Sequence, residues 1–178
     1  MKNICCIVNP VSGLKKSLKV YYEAKNLFEK SDFNTSLFVS EYPNHIKDYV
    51  SKIEKNRFDR IIVFGGDGSI NEVVNGLNDS NNLQSFKLGV IPTGSGNSVA
   101  HDTGLLDVKD AISKSLGDNI IKMDLNRVDF DSVSRLSVSV LGWGMFSYGN
   151  IRAEKLRLLG PMRYDVASII TLLSLIHI

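Results

Sequence analysis

Disulfide bonding has almost nothing to work with in this chain. Its only two cysteines, Cys5 and Cys6, are adjacent inside an apolar run, a placement that suits neither a disulfide framework nor a zinc site. They are expected to be small buried hydrophobes in a reducing compartment. A surplus of one charge is also missing, because 21 basic and 19 acidic residues are scattered along the chain for a formal net charge of +2. Without a basic stripe there is no electrostatic footprint for nucleic acid, whereas a weakly anionic or membrane-bound substrate stays open. No stretch reaches the roughly 18 apolar residues that a spanning helix needs. The short apolar run at the N-terminus, interrupted by Asn9 and Pro10, is too brief for a signal peptide. The expected location is cytoplasmic and peripheral to membranes. Disorder is not indicated either, since 43% hydrophobic and 22% charged residues are ordinary globular values. A length of 178 residues suffices for one full core plus part of another.

The chain is organised around Ile61 to Leu77, which reads IIVFGGDGSINEVVNGL. The unbroken apolar run Ile61 to Phe64 is too short for an isolated helix, is rich in β-branched side chains and lacks the alternation of a half-exposed strand. It predicts a central parallel strand covered on both faces. Gly65, Gly66, Asp67, Gly68 and Ser69 follow, and Ser69 with Glu72 reads as a capping box. The spacing therefore predicts a glycine turn and then a helix that buries Ile70, Val73, Val74 and Leu77. Bare glycines admit a ligand close to the backbone, and the unpaired N–H groups of a first helical turn favour an anion, so a phosphate is the expected guest. A carboxylate beside a phosphate is repelled unless it binds a metal ion or takes a proton from an attacking hydroxyl. Asp67 is the candidate for that chemistry, against the plainer alternative that it only caps a turn.

A second glycine loop lies close behind, where Leu88 to Ile91 run into Pro92, Thr93, Gly94, Ser95, Gly96 and Asn97. Two strand-to-glycine-turn units within about 30 residues match the repeat length of a βαβ unit. In a parallel sheet both turns open at the carboxyl edge, where ligands of open α/β folds bind. Asn97 is expected to fix its loop through side-chain to backbone hydrogen bonds. Gly65-Gly66-Asp67-Gly68-Ser69 with Asn71-Glu72-Val73-Val74-Asn75-Gly76-Leu77, followed by Pro92-Thr93-Gly94-Ser95-Gly96-Asn97, resembles the diacylglycerol kinase catalytic-domain family of lipid kinases, most closely its sphingosine kinase and ceramide kinase branch. NAD kinases and phosphofructokinases carry a similar Gly-Gly-Asp-Gly, so the specificity comes from both motifs in this order and spacing.

The remaining pattern alternates strands and helices before it changes style. Ile4 to Val8 predict a first strand, broken by Asn9-Pro10-Val11-Ser12-Gly13 and followed by a helix through about Glu29. Lys15-Lys16-Ser17 is not a P-loop, because the first glycine of that motif is missing. Thr35 to Val39 predict a second strand and Ser40 to Asn44 a turn, with Asn44 as N-cap of a helix burying Ile46, Val50 and Ile53. His45 is assigned no chemistry, and His101 with Asp102 reads as a solvated helix face. A short helix over Asp107 to Leu116 is closed by Gly117. Ile120 to Phe130 and Leu136 to Phe146 then predict antiparallel strands joined by a polar turn at Asp131 to Arg135. Tyr164 to Ile178 predict an apolar helix, internal or lipid-facing. The expected fold class is α/β, an open and mainly parallel sheet flanked by helices over residues 1–122, with a β-rich second domain starting at 123–178.

The resemblance implies ATP with Mg2+ and a lipid presented at a membrane; it leaves the oligomeric state unknown. It places the nucleotide against Asn9, Pro10, Ser12 and Gly13, against Ser40 and Asn44, against Gly65, Gly66, Gly68, Ser69 and Glu72, and against Gly94, Ser95 and Gly96. Asp67 would accept the hydroxyl proton or orient that hydroxyl, with Gly68 beside the substrate, and Glu72 would reach the ribose or a metal-bound water. Ser137 to Tyr164 carries a second stretch of resemblance in Gly142-Trp143-Gly144, Glu154-Lys155, Leu159-Gly160 and Met162-Arg163. Arg157 and Arg163 stand where two arginines of that branch reach the ATP phosphates, and guanidinium forks suit that task. The alternative there is a solvent-facing amphipathic helix. Asn150, two residues after Tyr148, stands where sphingosine kinases place an acidic residue against the sphingoid head group. An amide can hydrogen-bond a hydroxyl but cannot pair with an ammonium group. Because the family continues into a long β-sandwich, the chain is expected to be a fragment in which the second domain is truncated. The implied activity is transfer of the γ-phosphoryl group of ATP to a hydroxyl of a sphingoid base or related lipid. Ceramide or diacylglycerol is the alternative acceptor, NAD kinase a rival enzyme, and a non-catalytic nucleotide- or lipid-binding fragment the rival of another class.

Overall fold

Strands β1 (Lys2–Val8) and β3 (Arg60–Gly65) are apolar without alternation because both of their faces are covered. On one face, Ile4, Cys6 and Val8 of β1 and Ile62 and Phe64 of β3 pack against Tyr21, Ala24 and Phe28 of helix α1 (Ser17–Glu29). On the other, Cys5, Ile7, Ile61 and Val63 meet Ile46 and Val50 of α2 (His45–Val50) and Ile70, Val73, Val74 and Leu77 of α3 (Asp67–Asp79). Adjacent Cys5 and Cys6 thus serve opposite half-cores, and both are free thiols that burial pushes up, to about 11 for Cys5 and about 12 for Cys6. Phe28 and Phe64 are fully buried and meet edge to face at 6.2 Å; truncating either to alanine should cost about 3–5 kcal/mol.

Strands β2 (Phe33–Val39) and β4 (Lys87–Pro92) flank this pair in the order β2-β1-β3-β4, and every pairing is parallel. The computed structural model describes residues 2–31, 33–139, 141 and 145–176. Helix α4 (Ser98–Asp102) follows β4, and α5 (Val108–Leu116) adds Ala111 and Ile112 to the half-core under α1. At the amino edge of the sheet the buried Arg60 guanidinium donates to the carbonyls of Ser115 (2.6 Å) and Gly117 (3.0 Å). A cation there satisfies carbonyls left over at the end of α5.

After α5 the chain forms a two-stranded antiparallel sheet, β5 (Asn126–Phe130) and β6 (Val133–Ser137). Both strands are shorter than the sequence pattern predicts. The ladder begins at Asn126 paired with Ser137, so among the described residues Ile120 to Leu125 have no strand partner and Val138 and Ser139 do not extend it; Val140 and residues 142–144 of the expected strand lie outside the described residues. The connecting turn is confined to Asp131 and Ser132, and helix α6 (Met145–Lys155) occupies the end of the expected second strand. All of these elements up to Ser139 form one unit, and Val140–Ile178 form another.

Within the second unit, α6 is followed by a 3-10 turn over Arg157–Met162 and by α7 (Arg163–Ile176). Ala153 and Ala167 are buried, and Arg152 donates to Ser174 Oγ at 3.0 Å. Ile169, Ile170, Leu172 and Leu173 of α7 are exposed. Among the described residues no helix is long and apolar enough to cross a membrane.

Candidate functional site

Because all four strands are parallel and Val8 is in register with both Val39 and Phe64, and Gly65 with Pro92, the turns after them leave at one edge. From β1 the chain goes to β2 through α1 on one face, and from β3 it goes to β4 through α3 on the other. The carboxyl ends of β1 and β3 therefore border the topological switch point, where open α/β sheets form a crevice.

Backbone contacts hold the turns together there. A Cβ on Gly66 would stand 3.0 Å from Gly94 Cα, and one on Gly94 would overlap Gly66 Cα, so the two glycine turns touch main chain to main chain. A Cβ on Gly13, whose φ is +50°, would run into the Thr93 carbonyl. Asn9 adds a polar bridge, donating from Nδ2 to Ser69 Oγ at 2.9 Å while its Oδ1 accepts from Val11 N at 3.2 Å. Ser12 Oγ donates to the Thr93 carbonyl at 3.3 Å, and Pro10 lies in the turn between. Asn97 closes the second loop on itself as expected, accepting from Gly94 N at 2.9 Å and donating to Gly94 O at 3.0 Å. Gly65 and Ser69 are buried in this junction, Ser95 is half-buried, and Gly68 and Gly96 are exposed at the rim.

Two carboxylates of α3 act at a distance, and the expected capping box does not form. Helix α3 starts at Asp67 with Gly66 in the N-cap position and no side-chain cap among the described residues, three residues earlier than Ser69 requires. Glu72 instead accepts from Ile46 N at 3.2 Å, in the first turn of α2. That N–H is available because Asn44 precedes α2 in the left-handed conformation and makes no cap hydrogen bond, contrary to its expected role. The second glycine loop repeats the arrangement. Asn97, also left-handed, leaves the start of α4 uncapped, and Asp67 accepts from Ser98 N (3.0 Å) and Val99 N (3.1 Å). One helix thereby tethers the Ser40–Asn44 turn through Glu72 and the Thr93–Asn97 turn through Asp67. Each carboxylate oxygen of half-buried Asp67 has spent one of its two acceptor positions, so the fixed carboxylate can still take a hydrogen bond. Ser40 is buried and donates its N–H to Val8 O at 3.0 Å.

Sequence reasoning passed over two features of this edge. Ser17 and Thr93 are buried and share a hydroxyl–hydroxyl bond of 2.8 Å that ties the start of α1 to the second loop. Thr93 lies within the second motif, but nothing local marks Ser17. Leu14 and Lys15 follow Gly13 with φ of 60° and 66°, a left-handed run that costs about 1–2 kcal/mol per non-glycine residue. His45, given no chemistry, stacks on Tyr42 at 4.1 Å and accepts from Glu41 N at 3.1 Å.

The remaining candidates belong to the second unit. Asn150 and Tyr148 are exposed on α6. Arg163 is buried, pairs with Glu154 at 3.4 Å and donates to Tyr164 Oη at 2.6 Å, while its Nε has no hydrogen-bond partner among the described residues. The side chain of Arg157, and Gly142, Trp143 and Gly144, lie outside the described residues.

Residues 3–128 match the diacylglycerol kinase catalytic domain. The chain is 31% identical over 175 residues to sphingosine kinase 2 of Arabidopsis thaliana, a match covering 92% of this chain and 36% of that protein. It is 32% identical over 194 residues to ceramide kinase of Homo sapiens, covering 97% of this chain and 36% of that one. It therefore spans about a third of the length of these relatives. Its fold is similar to that of a diacylglycerol kinase from Bacillus anthracis str. Sterne, with a TM-score of 0.52 at 24% identity over 64% of this chain and 39% of that one.

Proposed function

Since this chain belongs to the diacylglycerol kinase catalytic domain family, whose pattern its residues 3–128 match, we propose that it is the nucleotide-binding part of a lipid kinase. It transfers the γ-phosphoryl group of ATP to a hydroxyl of a sphingoid base or related lipid. The observation that carries this reading is the meeting of the Gly66 and Gly94 turns at the switch point, with Asp67 spanning both. Phosphoryl transfer asks a protein mainly for positioning and charge neutralisation. Backbone N–H groups at Gly66, Gly68 and Gly96, with the Ser95 hydroxyl, cradle the phosphates, and Gly94, whose N–H is held by Asn97, brings that loop against the first turn. Asn9, Pro10, Ser12, Gly13 and Ser69 form the wall of that cradle. Ser40 and Asn44 face the nucleoside, and Glu72 supports their turn through the α2 N–H that it caps.

Asp67 accepts the proton of the attacking lipid hydroxyl, and its two backbone hydrogen bonds keep the carboxylate aimed. Arg157 and Arg163 supply positive charge toward the γ-phosphate. Asn150 hydrogen-bonds the polar head of the acceptor, a chemistry that suits a hydroxyl better than an ammonium. Residues 123–178 open the lipid-binding part, and the protein meets membranes from the cytoplasmic side.

Among the described residues no three His, Cys, Asp or Glu side chains cluster as a metal cage. Mg2+ commonly keeps its waters and relies on one or two carboxylates plus substrate phosphates. Glu72 fits that requirement as a single carboxylate, since it retains unspent acceptor positions that would take a metal-bound water. When bound, the ion neutralises phosphate charge.

The test is incubation of the chain with radiolabelled ATP, NAD and either ceramide or sphingosine in mixed micelles. Label in the lipid extract is expected. Label in NADP would transfer the assignment to NAD kinases, and retained nucleotide without labelled lipid would make the chain a binding module.

A further inference from the structure

Asn75 of α3 is 6% exposed and engages both its Nδ2 protons and its Oδ1. Its Nδ2 donates to Asn71 O and to Leu136 O, both at 2.8 Å, and its Oδ1 accepts from Leu136 N at 3.0 Å. The side chain therefore offers β6 what a neighbouring strand would offer, one acceptor and one donor to a single residue, Leu136. Leu136 is already paired with Arg127 on its other side, so the carboxamide extends the two-stranded sheet onto a helix. A polar group this deeply buried is costly unless it is hydrogen-bonded, and here both Nδ2 protons and Oδ1 have partners.

Asn75 lies eight residues beyond Asp67 on a continuous helix, two steps of four along the same stripe. The rigid rise between them is about 12 Å. Resting on the kinase reading, in which the β5–β6 hairpin opens the lipid-binding part, we propose that Asn75 is a positioning residue for the acceptor. It fixes the hairpin in register with the helix whose first residue takes the hydroxyl proton. The nucleotide turns do not depend on it, because their side-chain contacts with α3 run through Asp67, Ser69 and Glu72.

The test uses the full chain with Asn75→Leu, which keeps the volume and removes all three bonds, and Asn75→Asp, which keeps the acceptor but sets an oxygen against Leu136 O. Three quantities are read: ATP affinity by calorimetry, kinetics on ceramide in mixed micelles, and amide hydrogen exchange at Leu136. In both variants kcat/KM for the lipid should fall roughly 10–100-fold, as misplacement of a reactant does. ATP affinity should hold, and exchange at Leu136 should quicken about tenfold or more. A parallel fall in ATP affinity would reduce Asn75 to a residue needed for folding and overturn the proposal. Unchanged lipid kinetics with a faster Leu136 amide would refute this role alone. Failure of the unsubstituted chain to phosphorylate any lipid would refute the kinase reading, and this role with it.

Discussion

Replacing Asp67 by asparagine exchanges one carboxylate oxygen for an amide nitrogen at the point where the two glycine turns are joined. In the native arrangement the oxygens accept from Ser98 N at 3.0 Å and Val99 N at 3.1 Å. An amide can accept only one of these, and the other N–H then faces a donor. Loss of a helix cap costs about 1 kcal/mol, and a part-buried N–H without a partner adds on the order of 1–2 kcal/mol. The sum, about 2–3 kcal/mol, corresponds to a fall in Tm of about 5–10 °C for a chain of this size. Set against a typical stability of about 5–15 kcal/mol, the variant stays folded. The lost proton acceptor weighs more, because general base catalysis contributes about 10²–10⁴-fold. Turnover on lipid should therefore fall at least about 100-fold, with ATP affinity changed by less than about tenfold. Label transfer, calorimetric titration and a thermal melt measure the three quantities. Wild-type turnover would refute the role of Asp67 as base. Loss of nucleotide binding as complete as the loss of turnover would make Asp67 a tether between turns and nothing more.

Gly94→Ala should drive the turns apart, since its Cβ would overlap Gly66 Cα and lie 2.7 Å from Asn97 Oδ1; a lowered Tm and at least about tenfold weaker ATP binding are expected, and unaltered binding would contradict the close approach. Gly68→Ala meets nothing within 4 Å, so its stability should stay within about 0.5 kcal/mol while ATP affinity falls, because only the nucleotide needs that space. Native affinity in the Gly68 variant would remove that residue from the cradle. The last of these predictions concerns alkaline stability. Burial raises Cys5 from 9.0 to about 11 and Cys6 from 9.0 to about 12, so the folded chain holds these protons more tightly than the unfolded one. Stability is then complete below the unfolded value and declines as pH rises toward the folded values. Urea unfolding should show a loss of about 1 kcal/mol per thiol between about pH 8 and pH 10, and equal stability at both would contradict the burial of the thiols.

The central layer of the fold is legible in the chain because burial on two faces leaves a direct trace. Ile61 to Phe64 and Ile4 to Val8 are apolar without alternation, and the structure divides their side chains between two half-cores. Ile70, Val73, Val74 and Leu77 are recovered for the same reason, since a helix that covers a sheet repeats its apolar residues every three or four positions. The self-contained loop of Asn97 is legible because its partners lie three residues away. Long-range partners leave no such trace. Ser69 and Glu72 have the spacing of a local cap, yet Glu72 serves a helix 26 residues earlier in the chain and Ser69 receives Asn9 from 60 residues earlier. Asn44 is a good capping residue by type, but left-handed φ turns its side chain away from that role. The expected strand from Leu136 is longer than the ladder that forms, because a strand ends where its partner does, and the ladder reaches no further back than Asn126.

The most direct test is an amide-resolved NMR titration of the 178-residue chain with Mg-ATP. The resonances of Gly66 and Gly68 in the first turn and of Gly94, Ser95 and Gly96 in the second should shift together, saturating with one dissociation constant. Shifts confined to one turn, or appearing at the amino edge near Arg60 and Ser115 instead, would contradict a single phosphate cradle built from both.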